Sequence, residues 1–316
     1  MILVCGEALI DLFMTSDAGN GPMLRPIVGG SPFNLAVGLA RLAIPVAFFG
    51  GLSTDYFGTL LASRLQNEGV GTFLLKRSAR PTPLVMVSPD ALGHPSYTFY
   101  THDSAVQDVQ FADVSGPLPS SVDAIALGSY AIAVEPVGSA LLALAEREAQ
   151  RTIIALDCNL RAALVGSLDT WRERIERFAR CASIIKLSDE DFASGWGEST
   201  RPDDLAAHWL QLGVKVVIMT RGAHGAMAWH RSGCVTVPAG PVQVIDTVGA
   251  GDSFQAALLA RLASNELLSS LALATLDQTS LRDAVRYANL AAGITCGRRG
   301  ADLPRSADLL RSVATQ

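Results

Sequence analysis

Lysine is scarce in this sequence: only Lys76, Lys186 and Lys215 are present among 25 basic residues, and no extended basic run forms. With a formal net charge of −5, there is no electrostatic case for binding nucleic acid or an anionic membrane. The arginines between Arg172 and Arg180 alternate with Glu173 and Glu176, as on a solvated helix face. Cysteine is sparse too. Cys5, Cys158, Cys181, Cys234 and Cys296 are odd in number, far apart and mostly set in apolar runs. That pattern fits buried free thiols in a reducing, cytoplasmic setting better than a disulfide framework or a zinc site. His94, His102, His208, His224 and His230 are not spaced as metal ligands. No apolar run approaches a membrane span. The apolar N-terminus has no basic leader and is interrupted by Glu7 and Asp11, so it reads as a strand, not a signal peptide.

What is present is apolar bulk. Hydrophobic residues are 49% and charged residues 17% of 316, enough for a large core and too apolar for disorder. Residues 2–8 read as a buried strand, and 17–22 as a turn. A helix is expected over 31–43, with Ser31 as N-cap and Pro32 at the first helical position. A strand at 46–51 and a helix at 55–68 follow. Between 72 and 101 the texture changes to short β-like pieces, Thr72–Lys76, Leu84–Ser88 and Ser96–Thr101, broken by prolines. They suggest an antiparallel β insertion. Strands at 123–128, 152–157, 183–187 and 215–220 then alternate with helices at 136–149, 168–181 and 203–212. That rhythm predicts an α/β fold with a parallel sheet covered on both faces. A hairpin at 226–230 and 234–237 and helices at 250–263, 281–296 and 304–313 complete the chain. Without a linker, one α/β domain over 1–316 is expected, carrying a β lid built from about 10–27 and 72–105.

Two glycine segments carry the chemistry. In Asp246-Thr247-Val248-Gly249-Ala250-Gly251-Asp252-Ser253-Phe254 an extended-looking run (Val242, Val244, Ile245) meets a glycine turn and then an apolar helix. Such a turn presents several N–H groups to an anion, and its glycines let the backbone approach a ligand. A carboxylate repels phosphate, so Asp252 beside those donors makes sense as a base for a hydroxyl attacking a held phosphorus. A helix-dipole role for Asp252 is the alternative. In Gly29-Gly30-Ser31-Pro32-Phe33-Asn34, glycines again precede a helix, and Asn34 offers a donor and an acceptor suited to a sugar hydroxyl.

Together, Gly29–Leu42 and Asp246–Phe254 resemble the two signature motifs of the ribokinase-like (PfkB) carbohydrate kinases, in the same order and separation. The resemblance spans essentially the whole chain, from Cys5-Gly6-Glu7 to Arg298-Arg299-Gly300-Ala301. Ser31-Pro32-Phe33, Asp157-Cys158-Asn159-Leu160-Arg161 and Lys186-Leu187-Ser188-Asp189-Glu190-Asp191 look like the fructokinase branch, the second being shared with 2-keto-3-deoxygluconate kinases. The resemblance implies a three-layer α/β/α body with a mainly parallel sheet and a β lid. It implies an ATP-dependent sugar kinase, first of all for fructose, with magnesium and a monovalent cation such as potassium. Kinases for 2-keto-3-deoxygluconate, ribose or nucleosides are same-class alternatives, and a catalytically silent sugar or nucleotide sensor is the other. Retention of the whole Gly-Ala-Gly-Asp turn argues against silence.

By resemblance, Asp252 is the base, and Gly249, Ala250 and Gly251 supply amides to the transferred group. Asp11, Gly30, Asn34 and Arg161 hold the sugar; Arg161 is equally consistent with a surface arginine. Lys186, Ser188 and the loop Thr220–Gly225, with Gly222 and Gly225, serve the nucleotide. Asn289 lies by the adenine or is a core-facing amide. The family's Asn-x-x-Glu motif reads Ser188-Asp189-Glu190-Asp191 here, so Asp191 or Glu190 would order magnesium-bound water. Asp246, with carbonyls at Val248, Thr295, Arg298 and Gly300, would take the monovalent ion; Asp246 also suits a helix-entry cap. The Walker-type phosphate loop is absent. The lid stretch Tyr97–His102 lacks the arginine that follows Phe-Tyr in this branch, and Tyr97 and Phe99 either cover the sugar or pack on a neighbouring subunit in a homodimer joined through the lid.

Overall fold

The computed structural model describes residues 1–17, 21–89, 95–197 and 200–314. The centre of the expected 17–22 turn and His94 lie outside these. Fourteen strands are present among the described residues: β1 (Ile2–Cys5), β2 (Leu9–Asp17), β3 (Gly21–Gly29), β4 (Val46–Phe49), β5 (Gly51–Ser53), β6 (Lys76–Ser78), β7 (Leu84–Pro89), β8 (Pro95–Tyr100), β9 (Ala124–Gly128), β10 (Ile153–Asp157), β11 (Ile184–Ser188), β12 (Val216–Thr220), β13 (Ala226–His230) and β14 (Gly233–Val237).

Eight strands form the central sheet in the order β14-β13-β12-β11-β10-β9-β1-β4. The six from β12 to β4 are mutually parallel, and the β13–β14 hairpin adds an antiparallel edge. Successive residues along each strand serve opposite cores, as the period of two requires. Ile2, Val4, Ala124, Ala126, Ile153, Val216 and Ile218 pack with the helices Ser31–Arg41, Tyr56–Asn67, Ala250–Ser264 and Gln278–Cys296. Leu3, Cys5, Ile125, Leu127, Ile154, Val217 and Met219 pack with Val137–Glu148, Leu168–Ala179 and Pro202–Leu212. Both faces are therefore dry, which is why these strands are continuously apolar.

A second, four-stranded sheet runs β3-β2-β7-β8. It is mixed, since β2 pairs parallel to β7 and antiparallel to β3. Register places Asp11 opposite Val85 and Val85 opposite Phe99, with Phe13, Val87 and Tyr97 in the next such row. Val85 and Val87 on that face are buried, whereas Met14, Leu24 and Tyr100 on the other are exposed.

Several local expectations are corrected. The piece expected at Thr72–Lys76 begins only at Lys76 and pairs with Gly51–Ser53, outside the small sheet. Val242, Val244 and Ile245 form no strand and are exposed, and Ile245 N donates instead to Cys296 O at 2.8 Å at a helix end. The N-cap of the Ser31–Arg41 helix is Gly30, not Ser31. The helix expected from 281 starts at Gln278, because the Asp277 carboxylate caps it through the Ser280 amide. Cys234 is exposed, whereas Cys5 and Cys158 are buried.

Candidate active site

Parallel strands of an open α/β sheet leave a crevice outside their carboxyl ends. Here those ends bring Glu7, Gly128, Asp157, Lys186, Ser188 and Thr220 to one edge of the body. The Ala250–Ser264 helix starts in the same region; no side chain caps its N-terminus, and Ala250 N donates to Thr247 O at 3.2 Å.

Gly249 is the N-cap of that helix at φ 79°, and a Cβ there would meet the Ala301 Cβ at 2.7 Å. Only glycine combines that backbone with that proximity. Three residues on, Asp252 reaches the Ser31–Arg41 helix. Ser31 Oγ donates to its Oδ1 at 2.6 Å, and Asn34 Nδ2 donates to its Oδ2 at 2.8 Å. Ser31 is free to do so because Gly30, at φ 105°, takes the cap position. Burial pushes the Asp252 carboxyl above its ordinary value, against those two hydrogen bonds and the charges of Lys186 and Arg161.

Lys186 closes the site from below. Its Nζ donates to both oxygens of Asp157, at 3.1 and 2.9 Å, with both residues buried. A Cβ on Gly251 would lie 3.2 Å from that Nζ, so the ammonium lies against the glycine turn. Burial holds Asp157 up at about 6, against the pull of Lys186. Burial also works against the Lys186 ammonium, but Asp157, Asp191 and Asp252 more than offset it and keep it charged.

On the small sheet, half-buried Asp11 faces the same space. Burial pushes its carboxyl up to about 6, with Arg161 pulling it down and Asp252 pushing it up. Exposed Arg161 thus acts on both Asp11 and Asp252, and the Tyr97 hydroxyl feels Asp11, Arg161 and Asp246. Phe99 packs against the apolar layer behind Leu9 and Val85.

The nucleotide candidates form a second wall. Arg221 N donates to Gly225 O at 2.7 Å, closing the Thr220–Gly225 loop, and Thr220 Oγ1 reaches Leu187 O at 3.4 Å. Gly222 takes part in the same turn, its carbonyl accepting from Gly225 N. A Cβ on Gly225 would lie 2.1 Å from Val237 O, the carbonyl that Asn289 Nδ2 bonds at 3.1 Å. Asn289 also donates to Pro238 O at 3.2 Å, so its amide pins the chain leaving β14.

Two acidic side chains are committed to backbone. Ser188 and Asp191 form a capping box, and Asp191 accepts from Ser188 N at 2.9 Å and from Leu160 N at 2.8 Å. Neighbouring Glu190 is exposed. Asp246 accepts from Val248 N at 3.1 Å and from Gly300 N at 2.8 Å, clasping the glycine turn to the loop after the Gln278–Cys296 helix. At the end of that helix the Thr295 carbonyl accepts from Arg298 N at 2.9 Å.

A half-buried general-base candidate, a glycine turn at a helix N-terminus, a lysine and a second carboxylate in one crevice are the parts a phosphoryl-transfer site needs. The profile of the pfkB family carbohydrate kinases matches residues 1–308. The chain belongs to that family. A fructokinase of Rhizobium leguminosarum bv. trifolii is 38% identical over 283 residues, covering 90% of this chain and 86% of the relative. A fructokinase double mutant from Vibrio cholerae O395, solved with fructose, ADP and a potassium ion, superposes with a TM-score of 0.82 at 28% identity, covering 98% of this chain and 97% of that one. Aminoimidazole riboside kinase from Salmonella enterica, solved with aminoimidazole riboside and an ATP analogue, also reaches 0.82 at 28% identity, covering 99% of each chain. Kinase activity and the ribokinase-like α/β architecture follow from the family. Among the described residues no helix is long and apolar enough to cross a membrane.

Sequence reasoning missed three residues here. Ser31 was read as a cap and instead bonds Asp252. Asp157 was quoted in a motif without a role; its place at a parallel strand's carboxyl end was the available signal. Glu7 is 1% exposed, and burial pushes its carboxyl up to about 7 beside Ser129 and Ala131. A lone glutamate after a strand gives no sign of that depth.

Proposed function

We propose that the protein is an ATP-dependent fructokinase, forming fructose 6-phosphate and ADP. The observation that carries this reading is Asp252, a half-buried carboxylate held by Ser31 and Asn34 at the mouth of a glycine turn that Lys186 also touches. When the 6-hydroxyl of the sugar lies against Asp252, its proton passes to the carboxylate as the oxygen bonds the γ-phosphorus. The bond from that phosphorus to the β,γ-bridging oxygen breaks, and the charge leaves on ADP. The amides of Gly249, Ala250 and Gly251 stabilise the group in transfer. Asn34 and Ser31 hold Asp252, and they exchange to sugar hydroxyls when the sugar binds. Asp11 accepts from sugar hydroxyls, Gly30 gives close backbone approach, and Arg161 supplies one fork of donors. The small sheet, with Tyr97 over the crevice, is the lid.

ATP lies along Lys186, Ser188 and the Thr220–Gly225 loop toward Asn289. With Asp191 bonded to two amides, Glu190 is the acidic side chain left for magnesium-bound water. Magnesium supplies charge neutralisation of the phosphates when bound. The all-oxygen set of Asp246, Val248, Thr295, Arg298 and Gly300 suits a hard monovalent ion, and the Asp246 clasp already joins its two loops. A homodimer through the lid fits the exposed Met14, Leu24 and Tyr100 on its outer face. A cytoplasmic location fits the free thiols.

A neutral ketohexose needs hydroxyl binders but no carboxylate clamp, and this crevice offers Asp11, Asn34 and one arginine. Coupled ADP release over a sugar panel, at saturating MgATP, tests the reading. The expected order of kcat/KM places fructose above 2-keto-3-deoxygluconate, ribose and adenosine. A preference for the acid sugar would overturn fructose while leaving the kinase.

A further inference from the structure

Adjacent parallel strands end in opposite charges: register sets Asp157 of β10 beside Lys186 of β11. The pair is bidentate, and neither residue is more than 5% exposed. Burying an ion pair costs desolvation that its attraction often fails to repay, and two apolar side chains would serve the fold as well. The location suggests what the pair serves instead. The ammonium lies against Gly251, in the glycine turn that opens the Ala250–Ser264 helix at the crevice. Three carboxylates act on it from three elements: Asp157 on β10, Asp191 on the Asp189–Trp196 helix and Asp252 on the Ala250–Ser264 helix. Asp191 is occupied by two backbone amides and Asp252 by Ser31 and Asn34, whereas Asp157 bonds the ammonium itself. The Cys158 thiol nearby is kept neutral by burial.

We propose that Asp157 is a positioning residue that holds the Lys186 ammonium against the Gly249–Gly251 turn as a fixed positive charge for the phosphoryl group in transfer. The inference rests on the kinase reading above. A cation set beside preorganised amides strengthens exactly where negative charge gathers on the equatorial oxygens. Removing the Asp157 charge leaves burial to act on the ammonium with its one direct carboxylate partner gone, so Lys186 then loses its proton at lower pH.

The test is calorimetric binding of ADP and of a non-hydrolysable ATP analogue to Asp157→Asn, with a rate profile beside it. ADP, which lacks the transferred group, is expected to bind within about threefold of the parent, while the analogue weakens about tenfold near pH 9 and recovers near pH 6.5. In turnover, kcat gains an alkaline limb absent from the parent, and the fructose KM stays put. In the double variant Asp157→Asn/Lys186→Arg the cation does not titrate in this range, so analogue binding is expected to be flat with pH. A folded Asp157→Asn whose analogue affinity follows the parent at both pH values would overturn the proposal. Should that variant not fold, Lys186→Arg is expected to keep analogue binding and Lys186→Met to lose it, and equal affinities would overturn it. Failure of the parent to phosphorylate fructose would instead sink the kinase reading for that sugar, because the comparison of ADP with the analogue reads the cation by itself.

Discussion

On the proposed mechanism, replacing Asp252 by asparagine removes the base and almost nothing else. Asparagine has the same outline, and its carbonyl can accept from Asn34 Nδ2, which now lies 2.8 Å from Oδ2. Its amide can donate to Ser31 Oγ, whose hydroxyl turns to accept in place of the 2.6 Å bond it now donates. The fold is therefore expected to persist. Stability near neutral pH is expected to hold or rise. Burial lifts the Asp252 carboxyl in the folded chain, so ionising it costs stability as pH rises past the unfolded value, and the amide escapes that cost. Activity behaves differently. A positioned general base contributes about 10²–10⁴ in rate. At 1.36 kcal/mol per decade this is about 3–5 kcal/mol of transition-state stabilisation. The expectation is a kcat lowered by about two or more decades, with fructose KM and ADP affinity within a few-fold of the parent. Coupled ADP release gives the first quantity and titration calorimetry the second. A variant turning over within a few-fold of the parent would make Asp252 structural and refute the mechanism.

Three further outcomes are expected. The Asp11 carboxyl is held up at about 6, so kcat/KM for fructose should fall as pH drops through that value, and Asp11→Asn should lose this limb; a profile flat down to pH 5 would count against a sugar-binding carboxylate. Burial raises Glu7 from 4.5 to about 7, so the folded chain binds the extra proton between those values and stability declines as pH rises across them. Glu7→Gln should remove about 3 kcal/mol of that decline, read by chemical denaturation at pH 5 and pH 8, and parallel curves for parent and variant would refute it. Potassium should raise activity over a bulky organic cation at fixed ionic strength, and Asp246→Ala should blunt the response because it opens the clasp on Val248 and Gly300; identical rates in both salts would exclude an ion at this loop.

Much of the body was legible from local pattern. The strands around 124–128, 153–157, 184–188 and 216–220 are short apolar runs set between helical periodicities, and they lie within a residue or two of where the pattern puts them. That holds because a parallel sheet buried on both faces tolerates only apolar side chains, so burial writes itself into composition. The glycine turn was legible for a related reason: a positive φ and a close neighbour at Gly249 leave no other residue to choose. The small sheet was harder. Its pieces came through at Leu84–Pro89 and Pro95–Tyr100, but Thr72–Lys76 was miscast, because a few extended residues do not say which partner they pair with. The run Val242–Ile245 misled for the same reason: apolar and extended is not yet paired.

By itself the sequence determined the alternation of strands and helices, the two glycine turns and the place of Asp252 beside one of them, since each depends on neighbours in the chain. The tertiary structure alone decided who meets whom. Ser31 and Asp252 are 221 residues apart, and Lys186 and Asp157 are 29 apart, yet each pair bonds directly. Whether Asp191 faces a metal or two backbone amides, and whether Glu7 meets water or a dry interior, depends on strand order and helix approach. Those are set by summed burial over the whole core, and no local spacing encodes them.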